Sequence, residues 1–301
     1  MVERRARHAA DASAAALLLA RLRLLRSQLE SDAAEVAAGT EGSVHRMRIT
    51  ARRLRSVVTT FEPLLAPGTV AGLRDDLRWL GLSLSPARDA QVLRQRFATR
   101  IASLGPELVV GGVAEDLAAG LCTASHEGIL LARRALGSDR YVGLLRGLDD
   151  LVASPPVRRS AHGRARRVIP RLLRKDARRV RRAADEASLA DAAHRDERMH
   201  ELRKKVKRLR YAAETAAPVY PPARRVMRRA TDLQEVLGCR QDAVVAGHRL
   251  ERFAALAEED GRDASTYALL RRLEEGSVAR ADGTFDEAWA RLDRAVRALD
   301  G

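Results

Sequence analysis

Two stretches of the chain, 155 residues apart, carry the same pattern. Residues 44–55 read VHRMRITARRLR and residues 199–210 read MHELRKKVKRLR. Both contain H-x-x-R-x-x-x-[KR]-R-L-R, which matches His45 with His200, Arg48 with Arg203, Arg52 with Lys207, Arg53 with Arg208, Leu54 with Leu209 and Arg55 with Arg210. A proline follows each histidine by 18 residues, at Pro63 and Pro218, and each is expected to stop its helix. Further on, Leu80-Gly81 and Asp89-Ala90 resemble Leu237-Gly238 and Asp242-Ala243, with a four-residue gap. A duplicated helical unit accounts for these matches, and its period is that of a domain rather than a solenoid repeat.

The composition says what kind of unit is doubled. Ala, Leu, Arg and Glu dominate, all strong helix formers, while β-branched alternation is nearly absent. Glycines and prolines punctuate the chain at long intervals, as in a bundle of long helices. Helices are predicted at about 10–38, 43–62, 69–82, 87–104, 112–136 and 140–152, then at about 160–187, 192–216, 222–238, 241–260, 263–276 and 283–299. Ser154-Pro155-Pro156 is the natural boundary, dividing the chain into halves 1–154 and 155–301. The 301 residues suffice for a core without disulfides or a structural metal. Cys122 and Cys239 fit no metal or redox spacing and read as reduced thiols. Arg4, Arg5 and Arg7 followed by the apolar run Ala14 to Ala20 imitate a secretion signal. Asp11, Arg21 and Arg23 instead continue the segment as an amphipathic first helix, the expectation for a cytoplasmic protein with no membrane span.

Charge narrows the partner. The 55 Lys+Arg against 40 Asp+Glu leave a net charge of +15, and only four of the 55 are lysines. Such an excess favours a polyanion. An aromatic share of 3% is thin for gripping single strands by stacking bases. Between Arg158 and Arg229 there are 24 basic and 8 acidic residues, so the excess sits at the start of the second half.

On a helix, His45, Arg48, Arg52 and Arg55 fall within an arc of roughly 80°, with Met47, Ala51, Leu54, Val58 and Phe61 opposite. His200, Arg203, Lys207 and Arg210 repeat the stripe, opposed by Leu202, Val206, Leu209 and Ala213. Each helix therefore offers one apolar face to a core and one row of ionisable groups. Like charges three and four apart repel by a few tenths of a kcal/mol per pair, so a doubled row points to a multivalent anion that neutralises it. Guanidinium forks suit phosphate oxygens, and lysine adds a point charge. The plainer reading, a solvated or locally paired face, is weakened by the repetition. Few acids stand opposite the rows, Glu214 being a local partner for Arg210. A further row, Arg164, Arg167, Arg171, Arg174, Arg178 and Arg181, precedes the second motif and is expected to form a joint anion groove with it.

No catalytic motif is present. The chain has no HExxH, phosphate-binding G-x-x-x-x-G-K-[ST], G-x-S-x-G or G-x-G-x-x-G. His8, His126, His162, His194 and His248 show no ligand spacing, and no metal or cofactor is expected. Asp89 and Asp242, read as lying at corresponding helix starts, suit caps or dipole partners better than general bases.

The twin motif, each copy followed by Leu-Gly and Asp-Ala, resembles the CHAD domain (conserved histidine α-helical domain) over roughly residues 8–300. The resemblance implies an all-α fold of two antiparallel bundles, about six helices each, related by a pseudo-two-fold axis around a basic cleft or pore. It implies binding of inorganic polyphosphate and association with polyphosphate granules in the cytoplasm. Carried over, the anion-binding role falls on His45, Arg48, Arg52, Arg53 and Arg55, and on His200, Arg203, Lys207, Arg208 and Arg210. Lys204 is a further candidate, although its counterpart is Ile49. Many CHAD domains are fused to a CYTH triphosphatase bearing E-x-E-x-K, which nothing here matches. The expected function is non-catalytic polyphosphate binding. The alternative is a general nucleic-acid or polyanion binder, since duplex binding needs few aromatics.

Overall fold

The computed structural model describes residues 12–299. The helix start expected at residue 10, the Arg4, Arg5 and Arg7 run and His8 lie outside the described residues. Among those described, the chain is all-α, without a strand. Its helices are α1 (Ala14–Ala38), α2 (Ser43–Phe61), α3 (Ala71–Ser83), α4 (Ser85–Ala102), α5 (Val113–Leu136), α6 (Asp139–Ala153), α7 (Ala165–Ser188), α8 (Arg195–Ala216), α9 (Pro222–Glu259) and α10 (Ser265–Arg297).

Local chemistry explains most of the boundaries. The Ser13 hydroxyl accepts from Ala16 N at 3.1 Å and caps α1. Gly39, at φ 75°, ends α1 in the left-handed conformation that a side chain resists. α2 and α8 stop two residues short of Pro63 and Pro218. The second half departs from the expected six helices. The breaks predicted at Gly238 and between residues 276 and 283 do not occur, and α9 and α10 run through. Each glycine costs a helix about 1 kcal/mol. That is outweighed because α9 and α10 pack along one another, burying Leu233, Leu237, Ala246 and Leu250 on one and Leu270, Phe285, Ala288 and Leu292 on the other. In the first half the chain does break at Leu84, because Pro86 in the first turn of α4 cannot continue α3. Three residues before Asp242, where Pro86 precedes Asp89, the second half has Cys239.

Two buried clusters hold the helices. One joins α1, α2, α3, α6, α7 and α8 with the start of α9 and the end of α10. The other joins Leu93 and Phe97 of α4 and Leu117 and Leu121 of α5 to Leu250, Tyr267 and Leu270. Both clusters draw on both halves of the sequence. The starts of α1 and α7 exchange hydrogen bonds, Ala14 N to Gly163 O and Ala165 N to Ala12 O, each at 2.9 Å. The Pro155-Pro156 segment lies against residues 64–66, with Ala66 N donating to Pro156 O at 2.7 Å and Arg158 N to Leu64 O at 2.9 Å. α2 packs on α8, so the two motif helices meet.

Candidate functional site

The apolar sides of the motif helices are buried as the periodicity requires: Met47, Ala51, Leu54 and Val58 on α2, and Leu202, Val206, Leu209 and Ala213 on α8. Burying those faces brings the cationic rows together. Arg48 and Arg52 of α2 lie within electrostatic reach of Lys207 of α8, as do its own neighbours Arg203 and Arg210.

Carboxylates are scarce around this cluster. Arg48 Nη1 lies 3.4 Å from Asp89 Oδ1, and Arg203 Nη2 lies 3.9 Å from Asp242 Oδ1. The matched arginines thus face the matched aspartates. Asp242 is mid-helix in α9 rather than at a helix start, so it is a charge partner and not a cap. Arg52 and Lys207 make no ion pair among the described residues. The Nε atoms of Arg52, Arg53, Arg203 and Arg210 and the Nδ1 of His45 are buried without a hydrogen-bond partner. Unpartnered Nε atoms also occur at Arg21, Arg26, Arg249 and Arg291, but here they coincide with several cations and few carboxylates.

Burial and mutual repulsion are visible in the ionisation. The Lys207 ammonium is pushed down to about 6, by loss of hydration first and then by Arg203, Arg52, Arg48 and Arg210. Arg52 is lowered by burial, with Arg48, Arg203 and Arg210 adding. Arg203 is lowered by burial, which Asp242 partly offsets. His45 is lowered by burial and then by Arg88, Arg52, Arg48 and Arg46, so its imidazole is neutral at pH 7. In the second copy, His200 Nδ1 lies 2.7 Å from Gln241 Oε1, a hydrogen bond that directs Nε2 the other way. The residue before each matched Asp-Ala pair differs: Arg88 in the first half, which adds to the effect of burial on His45, and Gln241 in the second, which bonds His200.

The other expected site residues are placed differently. Arg53 and Arg210 lie over the buried Tyr211 ring, 5.8 and 4.4 Å from its centroid. With Glu214, Arg228, Arg229 and Asp232 they line a cavity of about 470 Å³ beside the cluster. Glu214 pairs with Arg21 at 2.6 Å and with Arg53 at 3.6 Å, not with Arg210 as expected. Arg55 is exposed, and both partial dehydration and Arg78 lower it. Lys204 is exposed and bonds Glu201 at 2.6 Å. Arg208 turns into the core, where it pairs with Asp176. That buried carboxylate also accepts from Thr60 Oγ1 at 2.6 Å and Arg179 Nη1 at 2.8 Å. On α7, Arg174 Nε donates to Leu299 O at 2.5 Å. Arg167, Arg171 and Arg178 are exposed on the side opposite the buried face, so they do not join α8 in a shared groove. Sequence reasoning passed over Arg78, Arg88, Tyr211, Gln241, Arg228 and Arg229. The matched Asp-Ala pairs pointed to Arg88 and Gln241, while nothing in the spacing marked the others.

This is an all-α protein in which two like helices, each bearing a cationic row, pack face to face. A model of the CHAD domain family matches residues 20–251, and the chain belongs to that family. Two uncharacterised proteins from strains of Mycobacterium tuberculosis are 37% identical to it over 266 residues. The matched region is 87% of this chain and 50% of each relative, so the chain spans about half the length of the curated relatives it matches. The crystal structure of the CHAD domain from the plant Ricinus communis aligns with a TM-score of 0.74 at 26% identity, covering 94% of this chain and 92% of that one. PptA from Streptomyces chartreusis aligns with a TM-score of 0.75 over 93% of this chain and 100% of its own, at 20% identity, a likeness of fold. Among the described residues no helix is long and apolar enough to cross a membrane.

Proposed function

We propose that this chain binds inorganic polyphosphate, without chemical change, in a basic cleft between α2 and α8. The observation that carries the reading is the cluster of cations gathered around Lys207 with few carboxylates to pair them, the Nε atoms of Arg52, Arg203 and Arg210 and the Nδ1 of nearby His45 being buried without a partner. Arg48, Arg52, Arg203, Lys207 and Arg210 form the floor of the cleft, and His45 and His200 flank it. Successive phosphates would neutralise the arginines and favour the protonated form of Lys207, releasing counterions, so log affinity should fall nearly linearly with log salt. Asp89 and Asp242 hold Arg48 and Arg203 in place rather than acting as bases. We read residues 1–154 and 155–301 as two bundles related by a pseudo-two-fold axis through the cleft. The repeated Arg48–Asp89 and Arg203–Asp242 pairs and the reciprocal bonds between the starts of α1 and α7 support that reading. The family resemblance extends it to polyphosphate granules in the cytoplasm.

The test is a titration of polyphosphate at constant salt with duplex DNA as competitor. Charge reversal at Arg203, Lys207 and Arg210 should weaken binding by at least tenfold, about 1.4 kcal/mol or more. Reversal of the exposed Arg133, Arg134 and Arg146 should cost less than about threefold, as rim charges do. Equal losses from the two sets would overturn the cleft. Displacement by DNA at equal phosphate concentration would favour general polyanion binding instead.

A further inference from the structure

The outer face of α7 carries a row of cations that the cleft does not use. Arg167, Arg171, Lys175, Arg178 and Arg182 recur at steps of four, four, three and four. At about 100° per residue they fall within an arc of roughly 80°. All five are exposed, and none makes an ion pair or hydrogen bond among the described residues. The neighbours that break the step are engaged elsewhere: Arg174 on Leu299 O, Arg179 on Asp176 and Arg181 on Asp293 at 3.1 Å. The row spans about 22 Å of straight helix, at 1.5 Å per residue.

This row faces away from the cleft. The buried side of α7 is Ile169, Leu173, Asp176, Ala177 and Val180. Asp176 there touches Thr60 of α2 and Arg208 of α8, the two helices that form the cleft. The centre of the row lies roughly 140° around the helix from Asp176. α10 and the residues just after it take one flank, through Asp293 and Leu299, and leave the outer face open.

The arrangement is unfavourable for α7 on its own. Arg167/Arg171, Arg171/Lys175, Lys175/Arg178 and Arg178/Arg182 are like-charge neighbours, each costing a few tenths of a kcal/mol. The exposed face of α10 uses the opposite pattern. Arg291 pairs with Glu287, Arg297 with Asp293 and Arg271 with Glu275, all one turn apart. The row on α7 is also one cation wide. A duplex presents phosphates on both sides of its grooves and calls for cations spread over a broad surface. Insertion into a membrane interface calls for apolar side chains interleaved with the charges, and from Arg167 to Arg182 none lies within the arc. One narrow, straight row matches a single linear chain of phosphates.

We propose that the outer face of α7, through Arg167, Arg171, Lys175, Arg178 and Arg182, is a second track for a linear phosphate chain, separate from the cleft between α2 and α8. Its ligand class rests on the function proposed above, but its location does not. With two sites on different faces, one molecule can hold two chains at once.

The experiment is calorimetric titration of the full chain with inorganic polyphosphate at several salt concentrations. It compares the wild type, R167E/R171E/R178E and R203E/K207E/R210E. R167Q/R171Q/R178Q is run alongside, because the glutamates of the first variant can pair with Lys175 and Arg182. The wild type should show two classes of site. Both α7 variants should lose the weaker class and keep the tighter one within about twofold. The salt slope of the lost class should be shown in the cleft variant, which retains it, and should be roughly 0.7 per phosphate contacted. Unchanged stoichiometry and affinity in both α7 variants would overturn the track while leaving the cleft standing. Loss of the tight class only on α7 would leave the track and remove the cleft. If duplex DNA or phosphatidylserine vesicles bind in a manner that depends on these arginines while polyphosphate does not, the proposal fails.

Discussion

At Lys207 an ammonium stands among Arg203, Arg52, Arg48 and Arg210, and its ionisation is pushed down to about 6. The unfolded chain holds that proton up to the ordinary value of 10.5, so between about 6 and 10.5 the unfolded state binds more protons and stability rises with pH. Lys207→Met should flatten this dependence and raise the unfolding free energy at pH 7 by up to several kcal/mol, at about 1.4 kcal/mol per pH unit between 7 and 10.5, as read by urea denaturation at a series of pH values. The same change should weaken polyphosphate binding. A bound polyanion favours the charged forms of Lys207 and His45, so binding should take up protons at pH 7. Affinity should therefore rise as pH falls from 8 towards 6 and level off below it. Calorimetry in buffers of different ionisation enthalpy checks the proton count, and zero uptake at pH 7 would contradict the placement of Lys207. The reason these effects are absent from the sequence is plain: HELRKKVKRLR shows the charges but not that Arg48 and Arg52 come from another helix to face them.

Helices in this fold are held by a few specific contacts as well as by apolar packing. Asp176 is buried and holds Arg208 of α8, Thr60 of α2 and Arg179. Asp176→Ala would leave the Arg208 guanidinium without its partner and should cost about 3–5 kcal/mol, with the cleft's affinity unchanged in whatever remains folded. Glu274 of α10, also buried, ties down α4 through Arg96 and Arg100. Gly128 lets α5 approach α4, since a Cβ there would lie 2.2 Å from Ala87 N. Gly128→Ala should destabilise by about 1–3 kcal/mol or more, because the obstacle is backbone. A thermal unfolding midpoint equal to the wild type would show that α4 and α5 can part at no cost. Helix identity was legible from composition and periodicity, and Pro63 and Pro218 marked two true ends. Gly238, Gly276 and Gly283 were misleading, because the mutual packing of α9 and α10 overrides a local preference worth about 1 kcal/mol.

Across the whole molecule, a net charge of +15 opposes folding through self-repulsion. Raising salt from about 0.05 to about 0.5 M should raise the melting temperature of the free protein by screening that repulsion. Polyphosphate at low salt should raise it further through linkage to the folded state. An unaltered melting temperature in both experiments would mean that the clustered cations carry no folding cost.

The twin motif and its helical period by themselves determined the fold class, the family and the two helices that carry the cluster. Those features are local: an apolar face repeated at 3.6 residues must be buried wherever the chain goes. Which cations meet was decided only by tertiary structure. Lys207 and Arg208 are adjacent in one copy of the motif, yet Arg208 is spent on Asp176 in the core while Lys207 faces Arg52 and Arg48. Arg167, Arg171 and Arg178 precede the second motif in sequence, yet the packing of α7 turns them outward. A spacing defines a face of a helix, and only the neighbouring helices decide where that face looks.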